Sequence, residues 1–307
     1  MTFKLIPRRK LKVVLKGFIQ TAIQYVVRVT GTNPWLSFFP TYENQRWGNW
    51  DSDDCWCLSA VQNATFNLNW ILKNNMFGTE ALNFWNSNGF IVNGTFQLSE
   101  LFHEILCGNL DNGGTSPEAW QSFQARGFIP RSMLNYSQVL AQNDPTDLIF
   151  IEDYYNTSRV TPAMLALGQQ SLKYISIAYQ SLSANTMIMQ AALQQAPLNI
   201  GIPVEPTQWN QVNVPLNTSK LYCHEVSLYW INPDNSLCIN DQYQPNPKVL
   251  AAGYSIGPVT QGIINAVAPA VVISVPQPTG TMNDSWWTMI EGWFNGIFYP
   301  NAKIGSA

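Results

Sequence analysis

Charge is scarce in this chain: only 11% of its 307 residues are Asp, Glu, Lys or Arg, and there are two histidines, His103 and His224. No acidic residue precedes Glu43, while seven of the 16 basic residues fall within the first 28. Cysteines at 55, 57, 107, 223 and 238 form no even framework, and an odd count leaves at least one thiol free. A secretory signal is missing, because the early Lys/Arg run is followed by Gly17–Gln24, whose glutamines interrupt the apolar stretch such a peptide needs. The Asn-x-Ser/Thr triplets at Asn93, Asn135 and Asn217 therefore carry no weight. The β-branched run Ile263–Val275 is broken by Pro269 and is too short for a membrane span. The expected location is the cytoplasm or the interior of a virus particle.

What is present is aromatic and amide-rich, with 12 Trp and 12 Tyr. Few charges and many aromatics fit a surface partly covered by partners. Residues 1–38 read as a basic arm, with Lys4, Arg8, Arg9, Lys10, Lys12 and Lys16 interleaved with Leu and Val. Such an arm suits an acidic partner, nucleic acid or an anionic surface, or a plain solvated extension. Residues 259–307 read as a C-terminal extension. Within it Trp286, Trp287, Ile290, Trp293, Phe294, Ile297 and Phe298 recur at helical spacing. That helix would dock on the protein itself, in a partner's groove or at a membrane interface. Both ends are expected to serve protein assembly rather than chemistry.

The chain's chemistry is expected around Asp51–Val61. Acidic and small residues open a helix there, Cys55 sits in its first turn, and Leu58, Val61, Phe66, Leu68 and Leu72 fall mostly on one face out to Asn74. A thiol at a helix N-terminus faces unpaired N–H groups and the positive end of the dipole, both of which favour the nucleophilic thiolate. Asp51, Asp53 and Asp54 oppose that effect.

Cys55-Trp56 leading into Ser59-Ala60 resembles the start of the central helix of papain-like cysteine peptidases, and other segments follow in the same order. Gln45 lies upstream, with Asn49 as the nearer amide. Leu98-Ser99-Glu100-Leu101 opens a helix that runs towards Cys107, in which His103 is a packing or surface residue. Asp111-Asn112-Gly113-Gly114 precedes another helix up to Gly127. Met187–Leu193 reads as a helix and Leu198–Val204 as a strand. Tyr222–Trp230 alternates as a strand through His224, Asn232–Asn235 turns, and Ser236–Asp241 returns.

The resemblance implies a distant, possibly viral or phage, papain-like cysteine peptidase of α+β class. Its helical lobe would span 39–136 and its antiparallel, barrel-like β lobe 137–258, closed by the strand at Ala252–Ile256. It implies Cys55 as nucleophile, His224 as base, Asn240 as the residue orienting the imidazole, and Gln45 as an oxyanion donor. Gly113, Gly114 and Trp56 would line the substrate cleft. Asp241 is the adjacent alternative to Asn240, and strand alternation puts only one of them on the His224 side. The imidazole partner is expected on Nδ1, leaving Nε2 for the thiol. Tyr243 stands near the place of a family Trp and would shield the pair. Both halves of one family disulfide are replaced, by Ser52 and Asp111, which suits a reducing compartment. No metal or cofactor is needed for peptide hydrolysis by this route, whose partner is a protein or peptide substrate. The competing expectation is a catalytically silent component of a virus particle or other assembly that keeps the fold.

Overall fold

The structure is a computed structural model that describes residues 27–41, 46–47, 50–51, 54–108, 113–135 and 155–267. Gln45, Asn49, residues 1–26 and the aromatic segment at 286–298 lie outside the described residues.

Helix α1, Cys55–Lys73, is the centre of the fold. Every residue from Trp56 to Ile71 is buried, so the helix is enclosed on all sides rather than amphipathic. Asp54 starts it by accepting from the backbone N–H groups of Cys57 and Leu58 with its carbonyl. Around it stand α2 (Thr79–Ser87), α3 (Leu101–Cys107) and α4 (Ser116–Arg126), with the small hairpin β3 (Ile91–Val92) and β4 (Thr95–Phe96). A short ribbon, β1 (Arg46–Trp47) and β2 (Trp50–Asp51), precedes α1. The entry to α4 is fixed by a capping box, in which Thr115 and Glu118 satisfy each other's orphan groups.

The second half supplies α5 (Pro162–Ser171), β5 (Ile175–Leu182), α6 (Thr186–Leu193), β6 (Leu198–Ile202) and the single turn α7 (Pro206–Trp209). It continues with β7 (Asn213–Val214), β8 (His224–Ile231), β9 (Leu237–Asn240), β10 (Lys248–Leu250) and β11 (Val259–Ala266). Seven strands form one sheet in the order β5-β11-β6-β8-β9-β10-β7. All pairs are antiparallel except β10 with β7. This is an α+β fold with a helical part and a sheet part. The sheet is open rather than barrel-like, since Ala252–Ile256 forms a turn and coil instead of a closing strand.

Two segments assigned by sequence to the ends are built into the body. β11, placed in the C-terminal extension, is an interior strand paired with β5 along eight residues and with β6 on its other side. Residues 27–38, placed in the arm, are stitched to α1. The Arg28 guanidinium donates to Asn67 Oδ1 at 2.6 Å and Asn265 Oδ1 at 2.7 Å and lies 4.8 Å over the Trp70 ring. Trp35 is fully buried, its indole N–H donating to Leu193 O at 2.6 Å.

Polar side chains on α1 carry the contact between helices and sheet. Trp120 of α4 donates to Asn199 Oδ1 at 2.9 Å, and Asn199 donates to Ser59 Oγ at 3.0 Å. The Trp120 ring packs against Gly262 of β11, where an added Cβ would fall 2.0 Å from it. Gly262→Ala is therefore expected to destabilise the protein by about 1–3 kcal/mol through overpacking. A urea midpoint unchanged from wild type would contradict that packing.

Candidate active site

Cys55 occupies the first turn of α1, and Glu225 of β8 donates its backbone N–H to the Cys55 sulfur at 3.4 Å. Glu225 is the neighbour of His224, so the thiol lies against the main chain that carries the imidazole. Cys57, two residues on, is a different kind of thiol. It is fully buried, and burial, reinforced by the charge of Glu104, pushes its pKa well above the ordinary value. Burial also raises Cys107 and Cys238. None of the five cysteines is in a disulfide.

His224 is held from behind. Its Nε2 is 2.8 Å from Asp241 Oδ1, with both side chains buried. Burial alone would raise Asp241, but the His224 hydrogen bond and the nearby Lys248 ammonium outweigh it and hold the carboxyl below its ordinary pKa. An ionised carboxylate can only accept, so Nε2 carries a proton and donates it to Asp241. This reverses the nitrogens expected from sequence. The ring is enclosed by aromatics: Trp209 meets it edge-on at 5.6 Å, and Tyr243, the expected shield, lies tilted at 5.2 Å.

Asn240 is not the imidazole's partner. Its Oδ1 accepts from Asn246 at 2.5 Å. The reason is a β-bulge. From the hairpin, Ile231 pairs with Leu237 and Trp230 with Cys238, but the register then slips, so that Leu228 meets Ile239 and Ser227 meets Asn240. Counted without the slip, Asn240 would oppose Leu228 and share the His224 face. The extra residue at Tyr229 turns Asn240 to the other face and brings the next residue, Asp241, round to the ring.

Of the remaining expected residues, Gly113 has a positive φ of 69° and, like Gly114, is half-buried just ahead of α4. Trp56 is buried in the core cluster around α1, with 2% of its surface exposed. His103 is also buried; its Nδ1 lies 3.0 Å from Ser122 Oγ, and burial drives its pKa to about 3. It therefore stays neutral at ordinary pH.

The sequence reading missed three residues here: Trp209, Lys248 and Glu225. Lys248 is the lone charged residue between Asp241 and Asp284, set in an apolar strand, and that isolation was its visible signal. Glu225 gave none.

The Glu225 carboxylate reaches across to the start of α4, accepting from Ser116 N at 3.1 Å and Ser116 Oγ at 2.6 Å. Burial raises its pKa to about 7, against the lowering effect of those bonds. A carboxyl raised on folding binds its proton more tightly in the native state. Its contribution is therefore fully present below the unfolded value and is lost as pH rises through about 7. Glu225→Gln keeps an acceptor for Ser116 without the charge. It should stabilise the chain by about 1–3 kcal/mol at pH ~8 and little at pH ~4. Urea unfolding at the two pH values measures this; an equal effect at both would contradict it.

No family model matches the sequence, and no curated protein matches it. Several solved cysteine proteases are similar in structure. One is CMS1MS2 of Carica candamarcensis in complex with E-64, at 12% identity and a TM-score of 0.48, covering 75% of this chain and 96% of that one. Bromelain of Ananas comosus, also with E-64, gives 11% identity and a TM-score of 0.45 over 75% and 96%. Procathepsin L 3 of the Tenebrio molitor larval midgut gives 14% and 0.47 over 81% and 79%. Similarity at this level assigns neither an activity nor a family.

Proposed function

We propose that the chain is a cysteine peptidase that hydrolyses peptide bonds in protein or peptide substrates, with Cys55 as nucleophile, His224 as base and Asp241 as the group that orients it. One observation carries the reading. A thiol in the first turn of a buried helix touches the backbone beside a histidine whose far nitrogen is pinned by an ionised carboxylate.

The chemistry follows from that arrangement. With Nε2–H committed to Asp241, Nδ1 accepts the Cys55 proton as the sulfur attacks the substrate carbonyl carbon. The imidazolium so formed stays hydrogen-bonded to Asp241 and returns the proton to the leaving amine. Water then attacks the thioester with the ring again as base, releasing the acid and restoring the thiol. The developing oxyanion needs fixed donors. The Cys55 backbone N–H at the helix start is one candidate, and Gln45, with Asn49 as its alternative, is the expected side-chain donor. Gly113 and Gly114 lack a Cβ and leave room for a substrate backbone to lie alongside. Protein assembly through the chain's ends stands beside this reading and does not enter the reaction.

Alkylation tests it. At pH ~6 an ordinary thiol is under ~1% thiolate, so iodoacetamide or an epoxide at low dose should label Cys55 ahead of the exposed Cys223. His224→Ala should slow Cys55 labelling by about 100-fold and abolish peptide cleavage. Asp241→Asn, which keeps the side-chain volume and an acceptor oxygen, should lower cleavage by about 10- to 1,000-fold. Peptide mapping that finds Cys55 inert in wild type, with Cys223 labelled first, would leave the catalytically silent assembly component as the better reading.

A further inference from the structure

The Glu225 residue bridges the sheet and the start of α4 right beside the thiol. Its carboxylate accepts from Ser116 N at 3.1 Å and from Ser116 Oγ at 2.6 Å, while its backbone N–H donates to the Cys55 sulfur at 3.4 Å. Ser116 follows Gly114 by two residues and is fully buried. Among the described residues, these two bonds to Glu225 are the hydrogen bonds that join residues 113–116 to the sheet. Thr115, between the glycine and the serine, bonds only within α4, to Glu118 and Ala119.

We propose that Glu225 is a positioning residue of the substrate groove: it holds the start of α4, and Gly113 and Gly114 ahead of it, at a fixed distance from the Cys55 sulfur, so that an extended substrate lies with its carbonyl against the thiol. This rests on the reading of Cys55 as nucleophile and of the two glycines as the wall along which a substrate backbone lies.

Connectivity gives Glu225 this leverage. From Gly114 a route to the sulfur runs through Thr115, Ser116, the Glu225 side chain and one N–H. Without Glu225, the hydrogen-bonded route passes instead through the core, from Trp120 to Asn199 and on to Ser59 of α1. Trp120 lies about 6 Å further along α4, too far from the glycines to fix them closely. A misplacement of about 1 Å at a reacting centre costs about 100-fold in rate, so a tie next to the thiol matters more than one elsewhere on the helix.

The chemistry at Ser116 shows what the tie prevents. Ser116 opens α4, where a backbone N–H has no partner inside the helix and the dipole favours an acceptor with negative charge. Its hydroxyl is buried as well. A side chain without oxygen at position 225 leaves both donors unpaired, and they find new partners only if the start of α4 moves towards water. A carboxyl keeps an acceptor oxygen whether or not it is protonated, and so does a glutamine amide. The tie therefore needs an oxygen at this place rather than a charge.

The test compares two reagents on Cys55 in the full chain. Iodoacetamide is too small to use the groove, whereas an epoxysuccinyl dipeptide has to lie in it. In Glu225→Ala the rate of labelling by the dipeptide epoxide, taken relative to that by iodoacetamide, should fall about 10-fold or more. Glu225→Gln should restore the ratio. A general loss of thiol reactivity would lower both rates together and leave the ratio where it was. Hydrogen exchange over residues 113–119 reads the tie without chemistry at Cys55. It should quicken in Glu225→Ala and not in Glu225→Gln.

An unmoved ratio in folded Glu225→Ala would overturn the proposal, and so would an equal fall in Glu225→Gln. If the alanine form does not fold, Ser116→Ala removes the hydroxyl half of the tie and should move the ratio the same way by a smaller factor; no movement there counts against the proposal equally. The two readings fail separately. A wild-type Cys55 that reacts with neither reagent refutes the nucleophile, and the groove with it, even where exchange shows the tie. Normal cleavage and labelling in wild type with an unmoved ratio in Glu225→Ala refutes the role of Glu225 alone.

Discussion

Complete burial of α1 is the constraint on which the rest of the structure depends. A helix enclosed on all sides sets its polar side chains against whatever surrounds it, and each buried group that finds a partner avoids a cost of about 1–3 kcal/mol. Ser59, Asn67 and Asn69 therefore choose their neighbours. Asn67 Oδ1 takes Arg28 and the backbone N–H of Ile264; Asn69 takes Phe38 O and Phe96 N; Ser59 Oγ takes Asn199. These bonds fix the sheet, the N-terminal segment and the small hairpin against one helix. The same helix carries Cys55 at its start. The position of the thiol relative to β8 is thus set by contacts made along the next four turns of helix.

Much of this arrangement was legible in the sequence, and the failures have identifiable causes. The helices containing Cys55, His103 and Met187 and the β8–β9 hairpin were visible because apolar periodicity and the Asn-Pro-Asp-Asn turn are local signals. The choice between Asn240 and Asp241 was not local. It depends on a one-residue slip within β8, and nothing in Leu228-Tyr229-Trp230 announces a bulge to a reader who counts by twos. The placement of β11 failed for a related reason. Its eight residues sit between two strands that precede it in the chain by more than 50 residues, and such pairing leaves no mark on its own composition beyond β-branching. Arg28 misled as well. Counted with a basic run it read as a solvated charge, yet its guanidinium is spent on Asn67, Asn265 and the Ile264 carbonyl.

Two cysteines two residues apart on one helix show how geometry separates chemically identical groups. A step of two residues turns the side chain by about 200°. Cys57 consequently faces the core and the charge of Glu104, where a thiolate is strongly disfavoured. Cys55 faces β8, where a backbone N–H donates to its sulfur. The helix dipole acts on both and is worth only about 0.3–1 kcal/mol at an exposed terminus. Environment, not the dipole, distinguishes them.

The scarcity of charge in the sequence takes on a structural meaning at this point. Among the described residues, the buried charged side chains are Asp54, Glu100, Glu104, Asp241 and Lys248. The first three act on Cys57 beside the start of α1, and the last two stand behind His224. Charges that are few and buried interact through a medium of lower dielectric than water, so each one counts for more than its surface equivalents. Negative charge around Cys57 disfavours its thiolate, and the Lys248 ammonium helps to keep the buried Asp241 carboxyl ionised. In the reaction proposed for this site, the ionised Asp241 carboxylate stabilises the ring while it carries the proton taken from the thiol.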